Sequence, residues 1–211
     1  MLEIVPLILG PLATNTYLIA DSDTNEAAVI DPAWDGQLIA AEAKRRNWSI
    51  SQIWITHAHF DHIGGAGELA HELVIEPVIA LHPEDRLLWD AQGGAARFGF
   101  KLPASPAPTL NLVHSMNLHL GGFVFEVRHT PGHTPGHCIL YCTEAGVCFC
   151  GDLIFQNSVG RTDLPGGDWQ TLERSIRLQV FSLPDETRLL SGHGPETTVG
   201  QEKGGNPFVR A

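Results

Sequence analysis

The sequence has few basic residues, and they are scattered. Lysine and arginine number 13 against 24 aspartates and glutamates, which gives a formal net charge of −11. Without a basic stripe, the chain offers no surface suited to a phosphate backbone or an anionic membrane. We therefore expect neither a nucleic acid nor a membrane as a partner.

Long apolar segments and a basic N-terminal region are also missing. No apolar run reaches the roughly 18 residues of a membrane span, and the first cationic side chain is Lys44. No linker-like tract or internal repeat divides the chain, so residues 1–211 are interpreted as one domain. These absences predict a single-domain protein of the cytoplasm.

Cysteine is scarce, and its spacing does not suit a zinc ribbon. The four cysteines are Cys138, Cys142, Cys148 and Cys150, spaced C-x3-C-x5-C-x-C rather than as two C-x-x-C pairs. Disulfides are not expected in a reducing compartment. We predict four free, buried thiols on two neighbouring strands.

Short apolar runs predict two blocks of strands, with helices between and after them. Strands are predicted at 2–9, 15–20, 27–31, 51–56, 123–130, 138–142, 146–150 and 187–191. Helices are predicted over 35–46, 66–73, 84–91 and 169–180, where the apolar positions or the length favour a helix. The pattern indicates an α/β protein.

The segment ITHAHFDHIGG, residues 55–65, contains four side chains of metal-binding type: His57, His59, Asp61 and His62. A helix would divide them between two faces, because each residue turns by about 100°. A straight strand would spread them, because alternate residues lie about 6.6 Å apart. Only a strand that ends in a tight turn, before a helix starting near Gly64 and Gly65, lets all four converge.

Three later segments have the same character. HTPGHTPGH (129–137), CGDLIF (150–155) and SGHGPETT (191–198) each place a histidine or an aspartate beside glycine at the end of a predicted strand. Neutral imidazoles and carboxylates that converge in this way typically bind divalent metal. The four segments together predict one metal site.

Four motifs in a fixed order resemble the metallo-β-lactamase superfamily, and the resemblance covers nearly the whole chain. The motifs are T-H-x-H-x-D-H, T-P-G-H-T-P-G-H, G-D and G-H-G-P. The resemblance implies a four-layer αβ/βα sandwich with the site at one edge of the sheets. It implies that one metal is bound by His57, His59 and His133, that a second is bound by Asp61, His62 and His193, and that Asp152 bridges both. His137 is interpreted as supporting the site, and His71, His82, His114, His119 and His129 as packing or surface residues.

Such a site would perform hydrolysis. The expected cofactors are two divalent ions, zinc first, with iron or manganese as alternatives. A metal lowers the pKa of water to about 7 and polarises the carbonyl that is attacked. Asp61 is the expected orienter or proton acceptor for the nucleophile, and a thiolate with a pKa of about 8.5 leaves without a separate acid. A small thioester is therefore the expected substrate.

Departures from the family's patterns narrow the choice of subfamily. The commonest zinc β-lactamases have cysteine where this chain has Asp152, and the acidic surface disfavours the RNA-processing branch. Glyoxalase II, which hydrolyses S-2-hydroxyacylglutathione such as S-lactoylglutathione, remains ahead of persulfide dioxygenase with one iron and of a lactone or ester hydrolase. The resemblance also implies that Arg161 contacts glutathione; the alternative is that Arg161 pairs with Asp163 and braces the loop.

Overall fold

The computed structural model describes residues 1–210, and its first sheet contains six strands in chain order. They are β1 (Leu2–Leu9), β2 (Thr14–Asp21), β3 (Glu26–Ile30), β4 (Ser49–Trp54), β5 (Val78–Leu81) and β6 (Leu110–Asn111). The first three strands are antiparallel, and β3 to β6 run parallel to one another. The carboxyl ends of the parallel strands therefore lie at one edge.

The second sheet has the strand order β14-β13-β10-β9-β8-β7. Its strands are β7 (Asn117–Leu120), β8 (Phe123–His129), β9 (Cys138–Cys142), β10 (Val147–Gly151), β13 (Arg188–Ser191) and β14 (Thr197–Thr198). A separate hairpin, β11 (Ile154–Phe155) and β12 (Ser158–Val159), follows β10. Strands β10 and β13 are parallel, so they too end at one edge.

Six α-helices connect or follow these strands: α1 (Gly36–Arg46), α2 (Phe60–Ile63), α3 (Ala66–Glu72), α4 (Arg86–Asp90), α5 (Trp169–Ser175) and α6 (Val199–Gly205). Short 3₁₀ helices cover Pro83–Asp85 and Gln92–Phe98, and a π-helical turn at Ile176–Val180 extends α5. Within residues 1–210, every helix is too short or too polar to span a bilayer.

Three apolar cores lie between four layers. Strand β2 shows the division, because Leu18 packs under the helices of the first sheet while Ile19, on its other face, packs between the sheets. Trp54 and Phe125 meet edge to face between the sheets at 5.0 Å. Leu172 of α5 packs in the third core, on the outer face of the second sheet. This arrangement is the expected four-layer sandwich.

Most predicted elements are present with their ends shifted by a few residues. The prediction omitted several segments that are too short to show a clear period: the strands β5, β6, β7, β11, β12 and β14 and the helix α6. The cysteine prediction is confirmed: all four are free and buried, and β9 and β10, which contain them, are paired.

The prediction for residues 55–65 was wrong in two details. The helical conformation starts at Phe60, so Asp61 and His62 lie on the short helix α2 rather than in the turn before it. Gly64 and Gly65 have φ of −59° and −92°, so neither needs the freedom that glycine provides. A Cβ on Gly64 would lie 2.6 Å from the Ala33 carbonyl oxygen, so glycine is required there by close packing.

Candidate metal centre

The predicted site segments meet at one edge of the sandwich. His57 follows β4 of the first sheet, while Asp152 and His193 follow the parallel strands β10 and β13 of the second. His133 follows β8, which has the same direction as β10 because β9 is antiparallel to both. Strand ends from both sheets therefore supply the side chains of the centre.

The first cluster consists of the ring nitrogens of His57, His59 and His133. His133 Nε2 lies 2.9 Å from His59 Nδ1 and 3.2 Å from His57 Nε2. All three rings are buried, and burial together with the neighbouring imidazoles lowers the pKa of His57 and lowers that of His59 to about 3. Neutral imidazoles with converging lone pairs suit a cation at their centre.

Hydrogen bonds behind this cluster orient two of its rings. His133 Nδ1 lies 2.7 Å from the backbone carbonyl of Arg161, to which it donates, so Nε2 is left with its lone pair facing the centre. His57 Nδ1 lies 3.1 Å from Thr56 Oγ1. The contact partners of these rings thus select the tautomer that a metal needs.

The second cluster contains Asp61, His62 and His193, and Asp152 lies between it and the first. His193 Nε2 is 3.2 Å from Asp61 Oδ2, and His62 Nε2 is 3.3 Å from Asp152 Oδ1. The other oxygen of Asp152 is 3.6 Å from His193 Nε2 and 3.7 Å from His133 Nε2. A single carboxylate therefore contacts imidazoles of both clusters.

The electrostatics of the second cluster favour positive charge. Burial disfavours the Asp152 carboxylate, but His62, His133 and His193 outweigh it and hold the pKa of Asp152 far below its ordinary value. Burial likewise opposes charge on His62, and Asp152 and Asp61 outweigh it and raise the pKa of His62. The carboxylates that favour a proton at His62 would equally favour a metal cation.

Unsatisfied atoms and donor spacing show that these residues fit divalent metal. Within residues 1–210, two buried side-chain atoms lack a hydrogen-bond partner, His62 Nε2 and Asp152 Oδ1, and both face this centre. Ligands about 2.0–2.1 Å from a tetrahedral ion lie about 3.3 Å from one another. The separations of 2.9 and 3.2 Å in the first cluster and of 3.2 to 3.7 Å around the second are close to that value.

Sequence reasoning missed Asp31, which supports the centre from behind. Asp31 Oδ2 lies 2.9 Å from His62 Nδ1 and accepts a hydrogen bond from the Thr56 hydroxyl at 2.6 Å. Its other oxygen accepts from the Thr56 backbone N–H at 2.7 Å. Asp31 directly follows the buried strand β3, and that position in the sequence was the signal available for it. Its backbone is left-handed, with φ of 49°.

Arg161 lies beside the centre, but its guanidinium faces Asp163. Two hydrogen bonds of 2.7 Å join the pair, whose side chains are 55% and 68% exposed. This is the bracing arrangement weighed as the alternative to substrate contact. The backbone carbonyl of Arg161, which accepts from His133, was not anticipated.

The remaining histidines lie outside the donor clusters. His137 is buried behind the centre, where its Nε2 accepts from the Asp152 N–H at 3.2 Å and its Nδ1 lies 2.9 Å from the Thr130 hydroxyl. His82 stacks on His129 with ring centroids 4.0 Å apart and planes at 10°. Donor atoms of this pair and of Glu84 lie within 4.8 Å of one another, but His82 Nδ1 accepts from the Glu84 N–H at 3.3 Å and His129 Nε2 lies 2.8 Å from the Pro135 carbonyl. These contacts give His137 a supporting position and His82 and His129 a packing position.

The chain belongs to the metallo-β-lactamase superfamily, whose family model matches residues 9–193. It is 36% identical to "Hydroxyacylglutathione hydrolase GloC" of Haemophilus influenzae over 100% of this chain and 98% of that protein. It is 38% identical to "Probable metallo-hydrolase YqgX" of Bacillus subtilis over 95% of this chain and 94% of that protein. The chain is thus a metallo-hydrolase-type member of the superfamily.

Solved structures agree on the fold, and one of the three is named as a β-lactamase. The BLEG-1 B3 metallo-β-lactamase superposes with a TM-score of 0.92 at 37% identity, covering 100% of both chains. TTHA1623, solved in a di-iron-bound form, gives 0.88 at 39% identity, with 97% of this chain and 100% of that chain covered. ETHE1 from Myxococcus xanthus gives 0.81 at 25% identity, with 98% and 84% covered.

Proposed function

We propose that this protein is a binuclear metal-dependent hydrolase of thioesters, and that its substrate is an S-2-hydroxyacylglutathione such as S-lactoylglutathione. The observation that carries the proposal is the position of Asp152, whose carboxylate lies 3.7 Å from His133 of the first cluster and 3.3 and 3.6 Å from His62 and His193 of the second. A shared carboxylate is how two-metal sites hold their ions close together. We assign His57, His59 and His133 to one ion, Asp61, His62 and His193 to the other, and Asp152 to both.

When bound, divalent ions would supply a hydroxide nucleophile at neutral pH and polarise the carbonyl group that it attacks. The role of Asp61 is to orient that nucleophile and to accept the proton that water loses when the hydroxide forms. Burial opposes the charge of Asp61, but His62 and His193 outweigh it and hold the pKa of the carboxyl below its ordinary value. Thr14 Oγ1 donates to Asp61 Oδ2 at 3.3 Å and helps to set the direction of the carboxylate.

Thioester specificity is supported by the leaving group and by one relative. A thiol with a pKa of about 8.5 leaves as an anion without a general acid, and our assignment includes no acid for the leaving group. GloC of Haemophilus influenzae, by its name, acts on hydroxyacylglutathione and is aligned over the full chain. We therefore propose a small glutathione thioester as the partner of this site, and zinc as the metal, with iron favoured next by the di-iron form of TTHA1623.

A second candidate, persulfide dioxygenase, is supported by the structural likeness to ETHE1. That candidate uses one iron and oxygen, whereas Asp152 and the six donors around it suit two ions. Two further candidates share the hydrolytic chemistry and differ in substrate. One is a β-lactamase, as BLEG-1 is named, and the other is a lactone or ester hydrolase.

One assay on protein of known metal content separates these candidates. S-lactoylglutathione, a lactone, a β-lactam and glutathione persulfide are supplied in turn, with the Asp152→Ala variant as the control that should lose activity. We expect hydrolysis of the thioester in the absence of oxygen, with release of a thiol that a thiol reagent counts. Oxygen consumption with the persulfide, and an intact thioester, would overturn the hydrolase assignment.

Arg161 is proposed to anchor a carboxylate of the glutathione portion. Its exposed pair with Asp163 is weak enough to exchange for a substrate carboxylate, because surface ion pairs contribute about 0–1 kcal/mol. We predict that Arg161→Ala raises KM several-fold and leaves kcat and metal content unchanged, since the lost contact is common to ground and transition states. A fall in kcat at constant KM, or a loss of metal, would instead assign Arg161 to bracing.

A further inference from the structure

Asp85 is a carboxylate in the interior that the proposed chemistry does not use. It ends the 3₁₀ helix Pro83–Asp85, is fully buried, and takes part in none of the salt bridges found within residues 1–210. A buried carboxylate without a cationic partner is costly unless several donors satisfy it. The identity of those donors therefore indicates what the residue does.

All three donors to Asp85 belong to the loops that carry the three-histidine cluster. The Ala58 N–H and the Thr134 hydroxyl donate to Oδ2 at 2.9 and 2.8 Å, and the Gly136 N–H donates to Oδ1 at 2.7 Å. Ala58 lies between His57 and His59, and Thr134 directly follows His133. One side chain thus joins two loops that are more than 70 residues apart in sequence.

We propose that Asp85 is a positioning residue that holds His57, His59 and His133 at the separation that metal requires. This inference rests on the metal assignment of the proposed function and is independent of the substrate. The two loops come from different sheets, and Asp85 is the side chain that bonds to both. Without it, the distances of 2.9 and 3.2 Å within the cluster would depend on the packing of the loops and on the backbone hydrogen bond from the Cys138 N–H to the Thr56 carbonyl.

The geometry requires a carboxylate at this position. Three donors point at two oxygens, so an amide in place of the carboxyl group would turn its own N–H groups toward at least one of those donors. The loop also passes close to Asp85, because a Cβ on Gly136 would lie 2.6 Å from the Asp85 backbone nitrogen. Asp85→Asn therefore keeps the shape of the side chain and removes its function.

The side chains of the second cluster have supports of their own: Asp31 contacts His62, and Thr14 donates to Asp61. Asn15 Nδ2 donates to the carbonyls of Ser191 at 2.9 Å and Gly194 at 2.8 Å, on either side of His193. Asp85 makes none of these contacts. Loss of Asp85 should accordingly weaken the three-histidine site selectively, whereas a general loss of structure would weaken both sites.

The test isolates the first site with His193→Ala, which removes a ligand of the second. Co²⁺ is titrated into this variant and its Asp85→Asn derivative, and binding is followed by visible absorption. We expect Asp85→Asn to weaken the remaining Co²⁺ site by about 10-fold or more, the range found when partners of metal ligands are removed. Equal affinity in the two proteins would overturn the positioning role.

The matched control is Asp21→Asn in the same background. Asp21 is also a buried carboxylate that accepts from two backbone N–H groups, those of Asp23 and Gly122, but it lies at the opposite end of β2 from the centre. We expect it to reduce the denaturant midpoint and to leave Co²⁺ affinity unchanged; an equal loss of affinity would mean that Asp85 acts only through stability.

Two further observations keep the test decisive. If Asp85→Asn does not fold, Thr134→Val, which removes one donor to the carboxylate, carries the comparison, and a several-fold loss of Co²⁺ affinity is expected from it. If His193→Ala itself takes up no Co²⁺, the metal assignment of the proposed function fails and the role of Asp85 fails with it. If His193→Ala binds Co²⁺ and neither Asp85→Asn nor Thr134→Val changes that affinity, the positioning role of Asp85 is overturned while the metal assignment stands.

Discussion

At the scale of single residues, Asp31 supports one histidine in each cluster, His62 directly and His57 through Thr56. Its carboxylate lies 2.9 Å from His62 Nδ1, and through the Thr56 hydroxyl it reaches His57 Nδ1, which is 3.1 Å from that oxygen. A carboxylate behind an imidazole sets the ring's tautomer and raises its basicity. One side chain outside the donor sets thus influences one imidazole in each of them.

We predict that Asp31→Asn lowers metal affinity by about 10- to 100-fold. The Thr56 backbone N–H requires an acceptor, so the new amide would place its NH₂ group toward His62 and donate to Nδ1. The proton of His62 would then lie on Nε2, the atom that faces the metal. Asparagine tolerates the left-handed φ of 49°, so the backbone is not strained by the change.

Metal titration measures this loss, and ¹⁵N NMR of the ring identifies the tautomer of His62. Unchanged affinity together with a proton retained on Nδ1 would show that Asp31 does not select the tautomer. The role of Arg161 can likewise be distinguished from a structural one, because Arg161→Ala is expected to change KM and not metal content.

At the scale of elements, the second sheet carries residues of the metal centre at one edge and unreactive, buried thiols in its interior. Strands β9 and β10 contain the four cysteines, and β9 begins and β10 ends beside the metal centre, yet their thiols are buried. Burial raises the pKa of Cys142 to about 11 and raises those of Cys138 and Cys150 further. Thiolate is therefore scarce at neutral pH at these three cysteines.

We predict that a disulfide reagent modifies essentially none of the four thiols of the native protein at pH 8 and all of them after denaturation. The raised pKa of Cys142 keeps its unreactive thiol form dominant until the pH approaches about 11. Labelling of Cys142 should therefore accelerate as the pH rises toward that value. Absorbance of the released reagent measures the rate. Rapid native labelling of any cysteine would show that the sheet opens locally.

At the scale of the whole molecule, the centre connects the two sheets. His57, His59, Asp61 and His62 follow the first sheet, and His133, Asp152 and His193 follow strands of the second. An ion held by these donors would contact both halves of the sandwich and would bind only when the halves are assembled. Metal should therefore stabilise the folded chain by mass action.

We predict that chelation lowers the thermal midpoint by about 5–10 °C relative to protein in metal at 100 times the dissociation constant. Such an excess contributes about 2.7 kcal/mol, and each 1 kcal/mol shifts the midpoint of a chain of this size by about 2–4 °C. Scanning calorimetry with and without chelator measures it. The Asp152→Ala variant serves as the control, and a shift as large in that variant would mean that the chelator acts elsewhere.

Local features of the sequence were sufficient for much of the fold. Alternation and apolar runs predicted β1 to β4, β8 to β10 and β13, because side chains of a strand point to opposite faces with a period of two residues. Short elements such as β5 and α6 have too few residues to show a period. The helical start at Phe60 was hidden because α2 is a single turn.

The sequence by itself determined the donor types and their order along the chain, since imidazole and carboxylate beside glycine at strand ends are local features. Only the tertiary structure decided that Asp31 and Asp85 support these donors and that the guanidinium of Arg161 faces Asp163. The reason is physical: Asp85 acquires its partners across 27 to 51 residues of chain, when two loops pack against one helix end. Such contacts arise from packing in three dimensions, and no periodicity or short motif in the chain encodes them.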